Sequence, residues 1–571
     1  MARKFFMITA GLLLCLFATA GWAETFFVAN NPSNAAGWGN GSNDNNGSNR
    51  ANPFLTLSYA IYQMSSGDEL IIADGIYSGP GNLIDSASVQ EVPSGTANAY
   101  TIIRAEHDGQ VVIDGQGTQR CIKINGNDIV DGRKDYLSDY PQQYIQIQGI
   151  ICTNASEPGN IYITRANHIK LINVGSVDPS VGHAAGITIS YSTDCLIEGG
   201  YAWGSGRYKF LTYHATRIIL RNCVARFDRV DANTNPIGSF SIYSSGNVEV
   251  QNCIDIDGGP ASYYLNYNNV AGSFTVPTTD DTEFKDEPIN FTNVMALNTN
   301  MRFGMSCWNA YPANTYFNNA VGWNIYSIEN SSAPGGTLTD FFHTQGNVSF
   351  NHCTFGNVTN ETNDVDGGYF NGWKNGNSNS IKNSIIHNFQ QGDLFYDWED
   401  VSSCNITDLT PGRALIGAGV IDTNMNPNPP LSHNPLENGL TYLADIDGGS
   451  TLASAGENGT YIGARMIKMY GKPGSLWGEP GYNKLQNGTD GQQDYGLWPF
   501  PNQDIIREKM RAYSYGNLSG NRGFCANGEN LTSYIWTMLG AELPAWLQPD
   551  PTPVLPAKRS IAPAIRILLG L

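Results

Sequence analysis

One short phrase recurs nine times in the middle of the chain. It reads apolar-x-apolar-x-Asn or Gly, followed by a small or apolar residue, and successive copies lie 23 to 41 residues apart. The copies end at Gly149, Asn173, Gly199, Asn222, Asn252, Asn293, Asn319, His352 and Asn383. Each copy predicts a short strand with period-two alternation that ends at a turn, and self-similarity at such a period is typical of stacked repeats.

The sequence between the copies indicates the kind of stack. Its glycine, asparagine and β-branched content excludes a helical solenoid. An open parallel sheet needs helices between its strands, whereas these intervals contain further strand-like pieces and turns such as Tyr191-Ser-Thr-Asp194. A parallel β-helix satisfies both constraints.

Stacked coils place equivalent residues above one another at about the strand spacing of 4.8 Å. The six asparagines that end copies of the phrase are therefore expected to form an inward amide ladder, with Gly149, Gly199 and His352 as irregular rungs. Three cysteines directly follow rungs and are expected to stack as small hydrophobic residues: Cys223, Cys253 and Cys353. The ten cysteines include no CxxC pair, so neither a disulfide scaffold nor a zinc site is predicted.

The ends and the charge balance predict where the protein acts. Two basic residues precede an apolar run over 5–17, and small residues follow, which predicts a signal peptide over 1–23 and secretion to the periplasm or the extracellular space. No later segment is expected to span a membrane in the mature chain, and we expect a monomer. With 51 acidic and 32 basic residues and no basic run, no nucleic-acid partner is expected.

The N-terminal part resembles a known group of proteins. Phe26-Phe-Val-Ala-Asn30, the Asn/Gly-rich stretch from Gly41, Asn52-Pro-Phe-Leu-Thr-Leu and Ser66-Gly-Asp-Glu-Leu-Ile-Ile are similar to the opening of pectate-lyase-like β-helix proteins, including family-nine polysaccharide lyases. The resemblance implies an all-β, right-handed parallel β-helix. Phe54, Leu57, Ala60, Ile61 and Met64 form the apolar stripe of a short helix that can plug the open end of the coils.

The phrase disappears after about residue 435, which sets the expected domains. We expect the β-helix with its N-terminal cap over 24–435, a second cap or small appended module over 436–548, and a proline-rich linker and tail over 549–571. Helices are predicted at Gln503–Tyr513 and Leu531–Leu539 within the C-terminal part.

Charges concentrate in three consecutive coils. The first contains Arg207 and Lys209, the second Arg226, Asp228 and Arg229, and the third Asp255 and Asp257. Because the two aspartates of the third coil alternate with isoleucines, a strand is expected to bury the isoleucines and present both carboxylates outward.

The resemblance implies a lyase that acts on uronic-acid polymers with a Lys or Arg base and bound Ca²⁺. On this hypothesis Asp228, Asp255 and Asp257 hold the calcium ion. Lys209 is the preferred base, with Arg207 and Arg226 as further catalytic candidates. The expected substrate-binding residues are Arg229, Trp203, Tyr208 and Tyr243.

Other interpretations remain open at this stage. The calcium motif of family-nine lyases, a close Asp-Asp-Gly type, does not occur in these coils, so the catalytic residues of that family do not transfer. The charged cluster is also compatible with a surface ion-pair network. The leading hypothesis is a calcium-dependent lyase that cleaves an acidic glycan by β-elimination. The alternatives are a non-catalytic extracellular or cell-surface protein that binds glycans or partners, and a glycoside hydrolase on the same fold.

Overall fold

A computed structural model describes most of the chain between residues 23 and 540. The described residues are 23–85, 91–125, 142–156, 158–180, 184–229, 237–258, 272–277, 284, 286–306, 314–327, 340–360, 369–372, 378–389, 394–396, 398, 400–407, 421–424, 443–446, 449–486 and 496–540. The predicted signal peptide and proline-rich tail lie outside this part. Among the described helices, none is long and apolar enough to cross a membrane.

The chain winds into a parallel β-helix of three sheets, which confirms the predicted fold. Sheet A has 14 strands: β1 (Thr25–Val28), β2 (Glu69–Ile72), β5 (Thr101–Ala105), β8 (Gln142–Gln148), β11 (Ala166–Ile172), β14 (Thr193–Glu198), β17 (Thr216–Arg221), β20 (Gly246–Gln251), β23 (Ile289–Thr292), β26 (Asn314–Asn318), β29 (Asn347–Asn351), β32 (Asn379–Lys382), β35 (Asp400–Ser402) and β37 (Ile421–Asn424).

Sheet B follows sheet A in each coil and has 12 strands: β3 (Gly75–Ser78), β6 (Val111–Asp114), β9 (Ile150–Thr153), β12 (Gly175–Val177), β15 (Tyr201–Trp203), β18 (Val224–Ala225), β21 (Ile254–Ile256), β24 (Met295–Thr299), β27 (Val321–Ser327), β30 (Thr354–Asn360), β33 (Ile385–Phe389) and β36 (Asn405–Thr407).

Sheet C completes each coil with 11 strands: β4 (Ile84–Asp85), β7 (Ile122–Asn125), β10 (Gly159–Thr164), β13 (Ala185–Ser190), β16 (Tyr208–Tyr213), β19 (Gly238–Tyr243), β22 (Gly272–Val276), β25 (Arg302–Ser306), β28 (Phe342–Thr344), β31 (Phe370–Gly372) and β34 (Phe395–Tyr396). Outside the solenoid, β38 (Ser514–Tyr515) and β39 (Leu518–Ser519) form an antiparallel hairpin.

The N-terminal helix α1 (Leu57–Gln63) closes the first coils, as predicted. Thr56 caps it by accepting a hydrogen bond from the amide of Tyr59. All five residues of the predicted apolar stripe are buried in the solenoid core. The helix therefore shields the end of the apolar interior from water.

Aliphatic and aromatic columns fill the interior. Alternate residues of the longer strands belong to one continuous apolar cluster, such as Ile145 and Ile147 in β8. Phe210, Phe240 and Phe274 stack in sheet C with ring centres 4.9 and 5.5 Å apart. The described cysteines are buried, and Cys223, Cys253 and Cys353 belong to the interior apolar cluster, in agreement with their predicted structural role.

The nine phrases are in register, but the asparagine side chains do not point inward. Asn252 donates to the Asn222 side chain at 3.0 Å, so these asparagines lie on adjacent coils as expected. Asn252 also pairs with both main-chain groups of Tyr470, and Asn293 donates to the carbonyl of Lys468. The ladder residues have left-handed φ angles, which turn their side chains outward onto the C-terminal segment.

The C-terminal segment, residues 443–540, packs along the flank of the solenoid. It includes helices α2 (Gln503–Arg511) and α3 (Leu531–Met538), close to their predicted bounds. Its apolar side chains cover the outer face of sheet B, where Ile254, Ile256 and Met295 join Met510 and Trp536 in one cluster. Within the described residues, this segment forms a covering along the flank of the solenoid.

Candidate active site

The outer face of sheet C combines a floor of small residues with polar groups. Gly238 and Gly272 lie in register, and so do Ser241 and Thr275 in the next outward column. A Cβ atom at Gly238 would lie 2.5 Å from the Ser241 hydroxyl and 2.7 Å from that of Thr275, so the two columns face the same side. The two hydroxyls are 2.5 Å apart. We call these four residues the sheet C floor.

A buried ionic array lies at one axial end of the sheet C floor. Arg302 follows Gly272 in register, and its Nη1 is 2.7 Å from Oδ1 of Asp340. The other carboxylate oxygen of Asp340 is 3.0 Å from Nδ1 of His343. His343 continues the column of Thr275 through Met305. The register of sheet C thus assembles an Arg–Asp–His array from two adjacent coils.

The electrostatics of the array keep Asp340 ionised. Burial by itself would raise the pKa of Asp340, but Arg302 and His343 more than offset this effect and lower it below its usual value. An ionised Asp340 accepts the hydrogen bond from Nδ1–H of His343, which places the basic lone pair on Nε2. A histidine oriented by a carboxylate in this way can act as a general base.

Arg207 and Tyr208 lie at the other axial end of the sheet C floor. Tyr208 is in register with Gly238. Arg207 is partly exposed, and its Nε donates to the Tyr208 hydroxyl at 3.4 Å. Burial raises the pKa of Tyr208, while Arg207 opposes the rise and nearby Tyr243 and Tyr213 add to it. Three of the residues predicted to act on substrate, Arg207, Tyr208 and Tyr243, therefore share this face.

Lys209 does not lie on the outer face of sheet C. The side chain is buried, and its ammonium group donates to the carbonyls of Gly204 and Ser205 at 2.7 and 2.6 Å. The ring of Phe227 closes a further side, 4.1 Å from Nζ. Burial lowers the pKa of Lys209 to about 7 despite the opposing charges of Asp228, Asp178 and Asp255. The lysine has the lowered pKa expected of a base, but it is enclosed and does not reach the outer face.

Asp255 points into the solenoid, which corrects the expected orientation of β21. Its register partners Ala225 and Ala296 belong to the interior cluster, whereas the flanking isoleucines face the C-terminal segment. Ser273 donates to its carboxylate at 2.6 Å, and burial raises its pKa to about 6. The alternation is as predicted, but the C-terminal segment makes the outer face apolar and reverses the two sides.

The C-terminal segment also covers the remaining charged candidates. Arg226 donates to the carbonyl of Met510 and lies 3.0 Å from Asp228, which also binds Arg522. Asp257 accepts hydrogen bonds from the Tyr534 hydroxyl and the Phe524 amide.

Arg229 and Trp203 lie on the same side. Arg229 lies over the ring of Tyr515 at 3.5 Å, and its Nε is 3.6 Å from Asp178. Trp203 is buried against Tyr201. Arg226, Asp228 and Asp257 thus join the solenoid to its covering instead of converging with Lys209 on an open trench.

The three predicted calcium ligands do not fit a calcium site. Asp255 lies inside the wall, while Asp228 and Asp257 lie outside it, bound to arginine, tyrosine and main-chain donors. A calcium ion needs six to eight oxygen ligands around one point. Among the described residues, no group of three or more His, Cys, Asp or Glu side chains is arranged to hold a metal.

The sequence analysis missed the Arg–Asp–His array and a second ladder. Successive coils of sheet B each carry a residue with a left-handed φ angle, within the strand or directly after it: Asp257, Asn298, Asn324, Asn357 and Asn388. Asn357 donates to Asn324 at 2.8 Å and Asn388 donates to Asn357 at 2.6 Å.

Several solved structures are similar to this chain at low sequence identity. No protein-family profile matches this sequence, and no curated protein matches it by sequence. Pectate lyase Pel9A is 14% identical over 78% of this chain and 95% of its own, with a TM-score of 0.39. An alginate lyase from a Paenibacillus species is 12% identical over 65% of this chain and 96% of its own (TM-score 0.33). A rhamnogalacturonan lyase is 13% identical over 74% of this chain and 91% of its own, with a TM-score of 0.36.

Proposed function

We propose that the protein is a secreted, polysaccharide-active enzyme that cleaves an acidic glycan on the outer face of sheet C by β-elimination. The observation that carries the proposal is the Arg302–Asp340–His343 array beside the sheet C floor. Small residues line the sheet beside the array, and the array supplies an oriented base. Arg207, at the far end of the floor, suits the carboxylate of a neighbouring sugar.

The proposed reaction assigns one proton transfer to His343. Nε2 removes the proton at C5 of a uronic acid, the released electron pair forms the C4–C5 double bond, and the C4–O4 bond breaks. The departing oxygen takes up a proton from solvent water, and the His343 imidazolium then returns its proton to solvent. Asp340 stabilises the imidazolium that forms, and Arg302 fixes Asp340 in its ionised state. No step is assigned to Ca²⁺, because Asp228, Asp255 and Asp257 do not form a site for it.

The test is a screen of polygalacturonate and alginate for new absorbance of unsaturated uronides, followed by substitution of His343. His343→Ala and His343→Gln are each expected to lower kcat by about 100-fold or more, the usual contribution of a general base, with little change in glycan binding. The matched control is His107→Ala, because His107 is also paired with an aspartate, Asp74, at 2.9 Å, but on an exposed part of the N-terminal coils.

Two outcomes contradict the proposal. Wild-type activity in both His343 variants would show that His343 is not the general base. Binding of uronides by the wild type with no cleavage in either substrate would favour the alternative of a non-catalytic glycan-binding protein, for which the aromatic residues near the sheet C floor already provide a surface. Thermal melts of the His343 variants exclude simple unfolding as the cause of lost activity.

A further inference from the structure

A row of aromatic and imidazole rings follows the edge between sheets C and A. Five consecutive coils each contribute at least one ring to this edge. We call the row the axial track, and its residues are Tyr144, His168, Tyr191, Tyr213, His214 and Tyr243. All but His214 are partly exposed. The axial track ends at Tyr243, beside the sheet C floor.

The rings are held in two stacked groups. Tyr144 stacks on His168 with ring centres 4.5 Å apart, and Tyr100 packs edge-on against Tyr144 at 5.6 Å. In the second group, Tyr191 stacks on His214 at 5.0 Å with an interplanar angle of 2°. Tyr213 lies 5.2 Å from Tyr243. These contacts orient the rings along the solenoid axis before any ligand binds.

We infer that the axial track binds a linear polysaccharide parallel to the solenoid axis and feeds it toward His343. Successive coils are separated by about 4.8 Å, close to the length of one pyranose unit, so each coil can meet one sugar. The apolar face of a pyranose packs on an aromatic ring, whereas its hydroxyls remain in water. Three coil spacings, about 14 Å, separate Tyr243 from His343 along sheet C.

Polar groups beside the rings suit the same ligand. Arg217 pairs with Asp194 at 2.6 Å on the coils that follow His168, and Asn247 continues that column. Burial is the main cause that lowers the pKa of His168, so its ring is neutral at pH 7 and adds an uncharged surface. The edge therefore offers apolar ring faces interleaved with hydrogen-bonding groups, which is typical of carbohydrate recognition rather than of a protein interface.

The inference rests on the proposed function only for the direction in which the polysaccharide runs toward His343. It also predicts, independently, how affinity depends on the length of the oligosaccharide. Affinity for oligogalacturonides or alginate oligomers is expected to rise with each added sugar until the axial track is filled. Tyr144→Ala, at the far end, is expected to remove the gain for the longest oligomers and leave trimers unaffected. Tyr213→Ala, near the sheet C floor, is expected to weaken trimers and longer oligomers alike.

Binding is measured by titration calorimetry on the full chain, with turnover followed separately. Tyr62→Ala is the matched control, because Tyr62 is 66% exposed on helix α1, away from the edge. A merely structural role of Tyr144 would change affinity for short and long oligomers by the same factor, and that result overturns the inference. Length-dependent binding without cleavage would overturn the proposed reaction and keep the axial track. Cleavage combined with an affinity that does not depend on oligomer length would overturn the axial track and keep the proposed reaction.

Discussion

Lys209 shows how residue type and residue function separate in this fold. The sequence predicted a lysine base at this position, and burial lowers its pKa to about 7. What the sequence did not contain was the direction of the side chain, because Lys209 lies at the start of β16 and its ammonium group donates to the carbonyls of Gly204 and Ser205 in the preceding turn. At Asp255 the strand alternation is as predicted, but its direction was decided by the distant C-terminal segment, which covers Ile254 and Ile256.

The lowered pKa of Lys209 predicts a pH dependence of stability. The pKa is about 7 in the folded state and near 10.5 when unfolded, so the unfolded chain binds more protons between these values. The free energy of unfolding should therefore rise with pH from about 7 to 10, by up to about 1.4 kcal/mol per unit. In Lys209→Met this contribution should vanish, whatever the stability of the variant at pH 7.

Denaturant titrations at pH 7, 8, 9 and 10 measure this slope. Lys382→Met is the control, because Lys382 is partly exposed and paired with Asp400 at 2.9 Å, and it should keep the wild-type slope. Equal slopes in the wild type and Lys209→Met would show that the lysine is not desolvated.

At the scale of elements, the recurring asparagine gave sheet A its register. A left-handed residue ends each of those strands, and asparagine tolerates that conformation well, so the signal repeats. Sheets B and C carry a weaker signal because the connections between them vary in length. The two predicted C-terminal helices were recognisable from their own periodicity, but their docking surface depends on long-range contacts that no local pattern encodes.

The amide ladder predicts how the C-terminal segment is held. Asn252→Ala removes two hydrogen bonds with Tyr470, one to Asn222 and one from Asn293. Because the Tyr470 main-chain groups are then left without these partners, we expect a loss of about 1 to 3 kcal/mol in the free energy of unfolding. Limited proteolysis should cut near residues 465–475 faster than in the wild type. Asn49→Ala, in an exposed turn of the N-terminal coils, is the control. Unchanged cleavage and stability in Asn252→Ala would mean that the ladder does not hold the segment.

At the scale of the whole molecule, the solenoid and its covering form one hydrophobic unit. A parallel β-helix usually keeps its outer faces polar, yet sheet B presents Val224, Ile254, Ile256, Met295 and Leu297 outward. That pattern is understandable only with the C-terminal segment in place. The sequence analysis assigned this segment to a cap or appended module because the end of the repeat marks where coils stop, and not where the following chain goes.

Removal of the C-terminal segment should therefore expose an apolar surface rather than release an independent module. A chain truncated after residue 442 uncovers the outer face of sheet B, and exposed apolar patches of that kind drive association. We expect the truncated protein to form large oligomers or precipitate, as measured by size-exclusion chromatography with light scattering. A chain truncated after residue 540 keeps every described contact of the segment and should behave as the full chain does. The chain that ends at residue 442 is expected to aggregate for this reason alone, so the opposite result is informative. If that chain instead elutes as a stable monomer with wild-type thermal stability, the C-terminal segment is not needed for the fold of the solenoid. The contacts of Arg226, Asp228 and Asp257 with the segment then contribute little to stability. If that chain aggregates, those charged residues are explained by their part in attaching the covering, which leaves the outer face of sheet C as the surface on which to search for catalysis.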